Sequence, residues 1–195
     1  MPDVVVIAGP NGAAGKTTVA PTLLRDLLQV PEFVNADQIA TGLSGFNPQD
    51  TAFQAGRLML SRLHELAREG TDFAFETTLA SRSFGPFLGR LKVAGYRFRL
   101  IYLWLRDARQ ARERVARRVR LGGHDVPAAM VNRRYRRSLA NFFALYQNLA
   151  DEWRFYDNSR LRDARLVAAG SGNKESEVVN EKLWRTLRRR YAKDG

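Results

Sequence analysis

The chain has 195 residues and a formal net charge of +12, with 45% hydrophobic and 27% charged residues and no cysteine. That balance fits one globular domain and excludes a disordered chain, a disulfide scaffold and a thiolate metal centre. The first apolar run, Val4 to Ala8, is too short for a secretory core or a membrane span, so a cytoplasmic protein with no membrane partner is expected.

The segment DVVVIA, Asp3 to Ala8, reads as a short strand buried on both faces. A Gly-rich turn follows, then a helix from about Thr17 to Leu28. EFVNAD is a second short strand. Asn47-Pro48 opens a helix that runs to about Glu69, because proline suits a first helical position. DFAFE is the third strand, ending at Glu76, and a helix covers about Phe84 to Ala94. YRFRLIYLWL is a long fourth strand. An Arg-rich helix, Asp107 to Arg120, leads through LGGHDVP into a long helix, about Ala128 to Ala150. Its apolar stripe is Val131, Tyr135, Leu139, Phe142, Tyr146 and Leu149. WRFYDN and ARLVAA are final strands. GSGN, Gly170 to Asn173, reads as a hinge before a basic helix from about Glu175 to Tyr191. Strands alternating with helices give an α/β fold, a central parallel β-sheet of about five strands flanked by helices.

The turn after the first strand is Gly9-Pro10-Asn11-Gly12-Ala13-Ala14-Gly15-Lys16-Thr17-Thr18. Strand, Gly-rich turn, Gly-Lys-Thr and helix arrive in the order of a phosphate-binding P-loop. In such a loop, backbone amides and a helix N-terminus hold phosphate oxygens, the lysine reaches the β- and γ-phosphates, and the hydroxyl of Thr17 ligates Mg²⁺. The spacing from Gly9 to Gly15 is one residue longer than the standard pattern. Lys16-Thr17 are fixed by the helix start, so the surplus is absorbed upstream, near Pro10.

Asp37 follows the second strand. In an open α/β sheet the carboxyl ends of the strands line the ligand crevice. A carboxylate there accepts a hydroxyl proton during phosphoryl transfer, or simply caps the next helix. Glu76-Thr77-Thr78 end the third strand on the same edge, where they hold substrate hydroxyls or cap a helix. Eleven arginines lie between Arg106 and Arg137. Those on a closing lid neutralise a transferring phosphoryl group, while most form a solvated basic face. His124 reads as a loop residue rather than a catalyst, and with His64 alone beside it no metal cluster is expected. Asp157-Asn158, after a strand, touch a nucleotide base or make a turn.

Taken together, VVVIAGPNGAAGKTT, FVNADQIA, FAFETTLASRSF, RVRLGGHDVP and NRRYRRSLANF resemble the zeta toxin-like P-loop kinases, more narrowly their compact stand-alone bacterial branch. The similarity runs from about residue 3 to 159. It implies a kinase with ATP and Mg²⁺ as cofactors, whose acceptor in characterised members is UDP-N-acetylglucosamine. It also implies an antitoxin protein as partner. By motif, Lys16 and Thr17 take the P-loop roles, Asp37 the catalytic base, and Glu76 and Thr77 substrate-binding positions. Arg120 and Arg134 are matched to the charge-neutralising pair, with Arg118 and Arg133 as rivals on the substrate side. Residues 1–170 are expected to form the kinase domain, with a lid at about 106–137. Residues 171–195 would be a basic helix packed on it. Two rivals remain at this point. One is a kinase for another hydroxyl substrate: a sugar, an antibiotic or a nucleic-acid end. The other is a non-catalytic P-loop protein that binds nucleotide or nucleic acid through its basic surface, which is not favoured.

Overall fold

Residues Val4 to Ala8 have no exposed surface, because parallel neighbours flank them on both sides. They belong to β1 (Asp3–Ala8), the centre of a seven-stranded sheet ordered β2-β3-β1-β4-β5-β6-β7. The computed structural model describes residues 1–10, 16, 30–44, 50–121, 123, 125–160 and 163–192. The expected helix from Thr17 to Leu28, the helix start at Asn47-Pro48, Gly122 and His124 lie outside these described residues.

The strands β2 (Glu32–Val34), β3 (Phe73–Thr77), β1, β4 (Arg97–Trp104) and β5 (Glu152–Asp157) are mutually parallel. These are five of the expected strands; β1, β3 and β4 are largely buried apolar runs, while β5 alternates, with Trp153 and Phe155 buried and Arg154 exposed. ARLVAA also forms a strand, β6 (Arg165–Ser171), but it runs antiparallel to β5. It turns back into β7 (Lys174–Val178), which the sequence reading missed.

The described helices are α1 (Ala36–Leu43), α2 (Ala52–Glu69), α3 (Phe84–Val93), α4 (Ala108–Arg120), α5 (Ala128–Asn141) and α6 (Glu181–Tyr191). Asp50 and Thr51 form a turn, so α2 starts later than Pro48 would place it. The end of α5 passes into a π-helical turn, Phe142–Tyr146, and one further α-turn, Gln147–Leu149. Most of the predicted stripe survives this change: Val131, Tyr135, Leu139, Phe142 and Tyr146 are buried, while Leu149 is half-buried.

Gly170 to Asn173 are not a hinge. They end β6 and make the hairpin turn into β7. A side chain has no room at Gly170: a Cβ there would lie 2.1 Å from the Lys174 carbonyl and 2.5 Å from the Trp153 ring. The last helix therefore starts at Glu181, not Glu175, with the Asn180 side chain accepting the Leu183 N–H at 3.1 Å. Its buried Trp184 stacks on Trp153 with centroids 5.3 Å apart, beside Phe142, Phe143 and Phe155. Such aromatic contacts add about 0.5–1.5 kcal/mol per pair beyond their buried area. They fasten α6 to the same core as the parallel sheet.

The register sets the working edge. Ala8 pairs with Thr77 and Tyr102, and Val34 pairs with Phe75. Gly9, Asn35, Glu76 and Thr77 therefore all emerge at the carboxyl ends of adjacent parallel strands, the edge at which open α/β sheets bind ligands.

Candidate active site

Leaving β1, the chain reaches Gly9 and Pro10, both buried, with Gly9 at φ +152°. Lys16 comes back beneath this turn and is 1% exposed. Its Nζ donates to the Gly9 carbonyl at 3.1 Å and stands 3.4 Å from Glu76 Oε1. Burial holds the ammonium below the usual lysine range, against the pull of Glu76 and then Asp37, while Arg118 adds to the depression. Asn11 to Gly15, Thr17 and Thr18 lie outside the described residues, so the account of the loop rests on Gly9, Pro10 and Lys16.

Asn35 joins two of these strand ends. It is 4% exposed and follows β2 in extended backbone. Its Oδ1 accepts the N–H of Asp37 at 2.8 Å and of Gln38 at 3.3 Å, capping α1. Its Nδ2 donates to Glu76 Oε2 at 2.9 Å. The cap expected at Asp37 is thus at Asn35, and the Asp37 carboxylate is free of that duty. Asp37 sits in the first turn of α1, 56% exposed, with Oδ2 4.0 Å from Arg118 Nη1.

Arg118 belongs to α4, which starts from the Asp107 cap on the Gln110 N–H at 2.7 Å. The return loop folds against it: the Gly123 N–H donates to the Arg118 carbonyl at 3.0 Å, and a Cβ on Gly123 would meet Arg118 Cγ at 2.6 Å. Arg133, Arg134 and Arg137 reach the same space from α5. Arg134 is half-buried, and desolvation lowers its guanidinium below the ordinary range, opposed by Asp37 and reinforced by Arg133. Arg120 is exposed and does not line this space. Two residues along a helix turn the side chain by about 200°, so Arg118 and Arg120 cannot face the same way. The structure brings Arg118, Arg133 and Arg134 together with Asp37 and leaves Arg120 outside.

These groups line a cavity of about 650 Å³. Lys16, Asn35, Asp37, Glu76 and Thr77 form one part of the wall, and Arg118, Arg133, Arg134 and Arg137 another, with Arg57 of α2 as a fifth arginine. Phe53, Met59 and Leu60 of α2, with Phe84, make an apolar side. The loop after β3 completes it. Thr77 Oγ1 accepts the Leu79 N–H at 3.2 Å, and Thr78 Oγ1 the Ala80 N–H at 3.3 Å. Leu79 has a left-handed backbone at φ +54°. Two buried side chains of the long helix hold this loop: Asn141 Nδ2 donates to the Leu79 carbonyl at 2.8 Å, and the Tyr146 hydroxyl to the Ser81 carbonyl at 2.6 Å.

A second cavity, of about 550 Å³, opens at the ends of β4 and β5 and is lined by Trp104, Arg106, Asp157, Ser159 and Arg160 among others. Asp157 Oδ1 accepts the Ser159 N–H at 2.8 Å, making the turn expected there, and Arg114 of α4 donates to the Asn158 and Ser159 carbonyls at 2.7 and 3.0 Å. His64 is exposed on α2 and meets the Phe87 ring edge-on, with centroids 5.0 Å apart. Among the described residues no cluster of three or more His, Cys, Asp or Glu forms, and no helix is long and apolar enough to cross a membrane.

The arrangement pairs a carboxylate open to the cavity with a buried ammonium and several guanidinium groups. It can hold a phosphorylated ligand and accept a proton from a hydroxyl beside it. Sequence reasoning missed Asn35, Arg137 and the apolar wall. Asn35 carried a signal, since asparagine directly after a strand and before a helix is a favoured cap.

Comparison with known proteins agrees with this fold. A family model described as an AAA domain matches residues 4–143. A Haemophilus influenzae protein described as uncharacterized is 27% identical over 131 residues, covering 67% of this chain and 91% of the relative. The structure of the PezAT chromosomal toxin–antitoxin system of Streptococcus pneumoniae superposes with a TM-score of 0.68 at 14% identity, over 97% of this chain and 78% of that one. AvrRxo1-ORF1:AvrRxo1-ORF2 with sulphate ions superposes at 0.71 and 17% identity, and the complex with ATP at 0.69. Each covers 96% of this chain, which spans 63% of the length of its counterpart. With its sheet order, its buried Lys16 and this match over most of its length, the chain belongs to the AAA domain family and has the fold of a zeta toxin-like P-loop kinase.

Proposed function

We propose that the protein is an ATP- and Mg²⁺-dependent kinase that transfers the γ-phosphoryl group of ATP to a hydroxyl of a small anionic acceptor, with UDP-N-acetylglucosamine as the acceptor to test first. One observation carries this reading. Lys16, Asp37, Glu76 and five arginines converge on one cavity at the carboxyl edge of a parallel sheet. A superposing relative has been solved with ATP, which supports nucleotide as the donor.

In this reading the Lys16 ammonium leaves the Gly9 carbonyl and Glu76 for β- and γ-phosphate oxygens. Asp37 accepts the proton of the acceptor hydroxyl as its oxygen forms a bond to the γ-phosphorus. The bond from that phosphorus to the β–γ bridging oxygen breaks, and ADP leaves. Arg118 and Arg134 flank Asp37 and balance the charge on the transferring group, so Arg118 takes the place that the motif match gave to Arg120. Glu76 and Thr77 orient the acceptor. The arginines left over and the Phe53 side of the cavity suit an acceptor that carries both negative charge and an apolar or planar part. Mg²⁺ takes hard oxygen donors, and the loop motif gives that part to the hydroxyl of Thr17. When bound, the ion would neutralise charge on the phosphate oxygens. The second cavity, beside Asp157, suits the nucleotide base. The PezAT likeness supports an antitoxin protein as a further partner.

Mass spectrometry of UDP-N-acetylglucosamine incubated with the protein, ATP and Mg²⁺ tests the proposal. The expected product carries one additional phosphoryl group. Turnover of ATP with sugars or nucleic-acid ends but not with this acceptor would transfer the reading to another kinase class. Salt-dependent nucleic-acid binding with no ATP turnover at all would refute it.

A further inference from the structure

The N-terminus of α1 needs only an acceptor, and serine, threonine or aspartate would supply one. Position 35 has an amide, and both of its ends are used. Its Oδ1 receives the N–H groups of Asp37 and Gln38, and its Nδ2 donates to Glu76 Oε2 at 2.9 Å. These bonds fix which way the amide faces, since only the NH₂ end can meet a carboxylate and only the oxygen can meet two N–H groups. The side chain is 4% exposed, so water does not compete for it. Glu76 in turn faces Lys16 at 3.4 Å through its other oxygen. One buried amide therefore ties the end of β3 to the first turn of α1.

We infer that Asn35 is a positioning residue, which holds Asp37 and Glu76 in one frame so that the acceptor bound by Glu76 presents its hydroxyl to Asp37. The inference rests on the kinase reading of the same cavity. Both ends of the Asn35 amide are engaged within the protein, so it acts through the groups it holds. Its contribution is the setting of the α1 axis relative to the strand end, and thereby the direction from which the Asp37 carboxylate approaches. A misplacement of about 1 Å in such a constellation can lower turnover about a hundredfold.

Asn35→Asp separates positioning from folding. It keeps an acceptor for the cap but turns a second carboxylate toward Glu76. Two facing carboxylates share a proton when the pH falls, because both cannot ionise at close range. Lys16 faces this pair through Glu76, with Asp37 and Arg118 as the next charged groups. The shared proton restores a donor where the amide had one. With MgATP and UDP-N-acetylglucosamine as probes, Asn35→Asp is expected to lower kcat about tenfold to a hundredfold near pH 8. The loss should shrink as the pH is lowered, with KM for ATP changed by less than about twofold. A kcat equal to that of the wild type across the pH range overturns the inference. So does a loss that is independent of pH and parallels a loss of ATP-induced thermal stabilisation.

If the wild-type protein phosphorylates nothing in this mixture, the acceptor reading fails, and melting temperatures decide the hydrogen-bonded frame. Combining Asn35→Asp with Glu76→Gln then exchanges donor and acceptor. A double variant less destabilised than the sum of the two single variants supports the frame. Losses that simply add overturn it.

Discussion

Replacing Glu76 by glutamine removes the charge that faces Lys16 while keeping an acceptor for Asn35. The two side chains are 7% and 1% exposed and 3.4 Å apart. Breaking a buried pair from one side costs about 3–5 kcal/mol. There is a ceiling, because the lysine can give up its proton. From an ordinary value of about 10.4 down to pH 7, that costs about 4.6 kcal/mol at 1.36 kcal/mol per unit. The Gly9 carbonyl and Asp37 still face the ammonium, so the lower end, about 3 kcal/mol, is expected. In a chain of this length that lowers Tm by about 6–12 °C. Burial already holds the Lys16 pKa below 10.5, and losing Glu76 lowers it further. Between that depressed folded value and 10.5 the unfolded state binds more protons, so stability rises with pH. The window reaches to lower pH in the variant, and its deficit should narrow as the pH rises. Phosphate oxygens can replace the lost carboxylate, so saturating MgATP should raise Tm more in Glu76→Gln than in the wild type. Melting curves at several pH values, with and without MgATP, measure all of this. A variant that melts within about 2 °C of the wild type, or a smaller MgATP shift than the wild type shows, would refute the pairing argument.

Asp37→Asn should lower kcat by about a hundredfold to ten-thousandfold while keeping the MgATP-induced thermal shift. Wild-type turnover in that variant would make Asp37 a bystander. Steady-state kinetics should show Arg118→Ala and Arg134→Ala reducing kcat and kcat/KM together, with Arg120→Ala within about twofold of wild type, as for an ordinary surface change. The reverse order would restore the motif-based assignment of Arg120. Tyr146→Phe should cost about 1 kcal/mol near neutral pH, through the lost bond to the Ser81 carbonyl. Burial pushes that phenol up to about 12 from 10. The unfolded phenol ionises first, so the wild type alone loses about 2.7 kcal/mol between about pH 10 and 12. Denaturant titrations showing equal alkaline slopes would contradict this.

The parallel strands were readable because burial on both faces leaves continuous apolar runs, as in Val4 to Ala8 and Leu100 to Leu105. Their carboxyl ends then put Asp37 and Glu76 on one edge, while the choice of Asp37 as base over helix cap came from the family resemblance. Strand β7 was not readable. Lys-Glu-Ser-Glu-Val is exposed through Glu177, so no alternation marks it, and its charges suit an edge strand as well as a helix start. The hairpin at Gly170 depends on the distant Trp153 ring, a contact that local spacing does not reveal. The same holds for the arginines. Their abundance was visible, but the choice of Arg118 over Arg120 depends on the rotation of α4, which the burial of Ala111 and Val115 fixes. The π-helical turn at Phe142 left the three-and-four spacing of the stripe intact and gave no warning in the sequence.

The left-handed residue Leu79 has a consequence for the kinetics of binding. A non-glycine side chain in that backbone region is disfavoured by about 1–2 kcal/mol. The bonds from Asn141 and Tyr146 nevertheless keep the loop there before any ligand arrives. The β3 side of the cavity thus meets its acceptor already shaped. No ordering entropy of that segment is subtracted from the affinity. An acceptor should therefore associate in a single concentration-dependent step on this side, without a slow phase from rearrangement of residues 77–83.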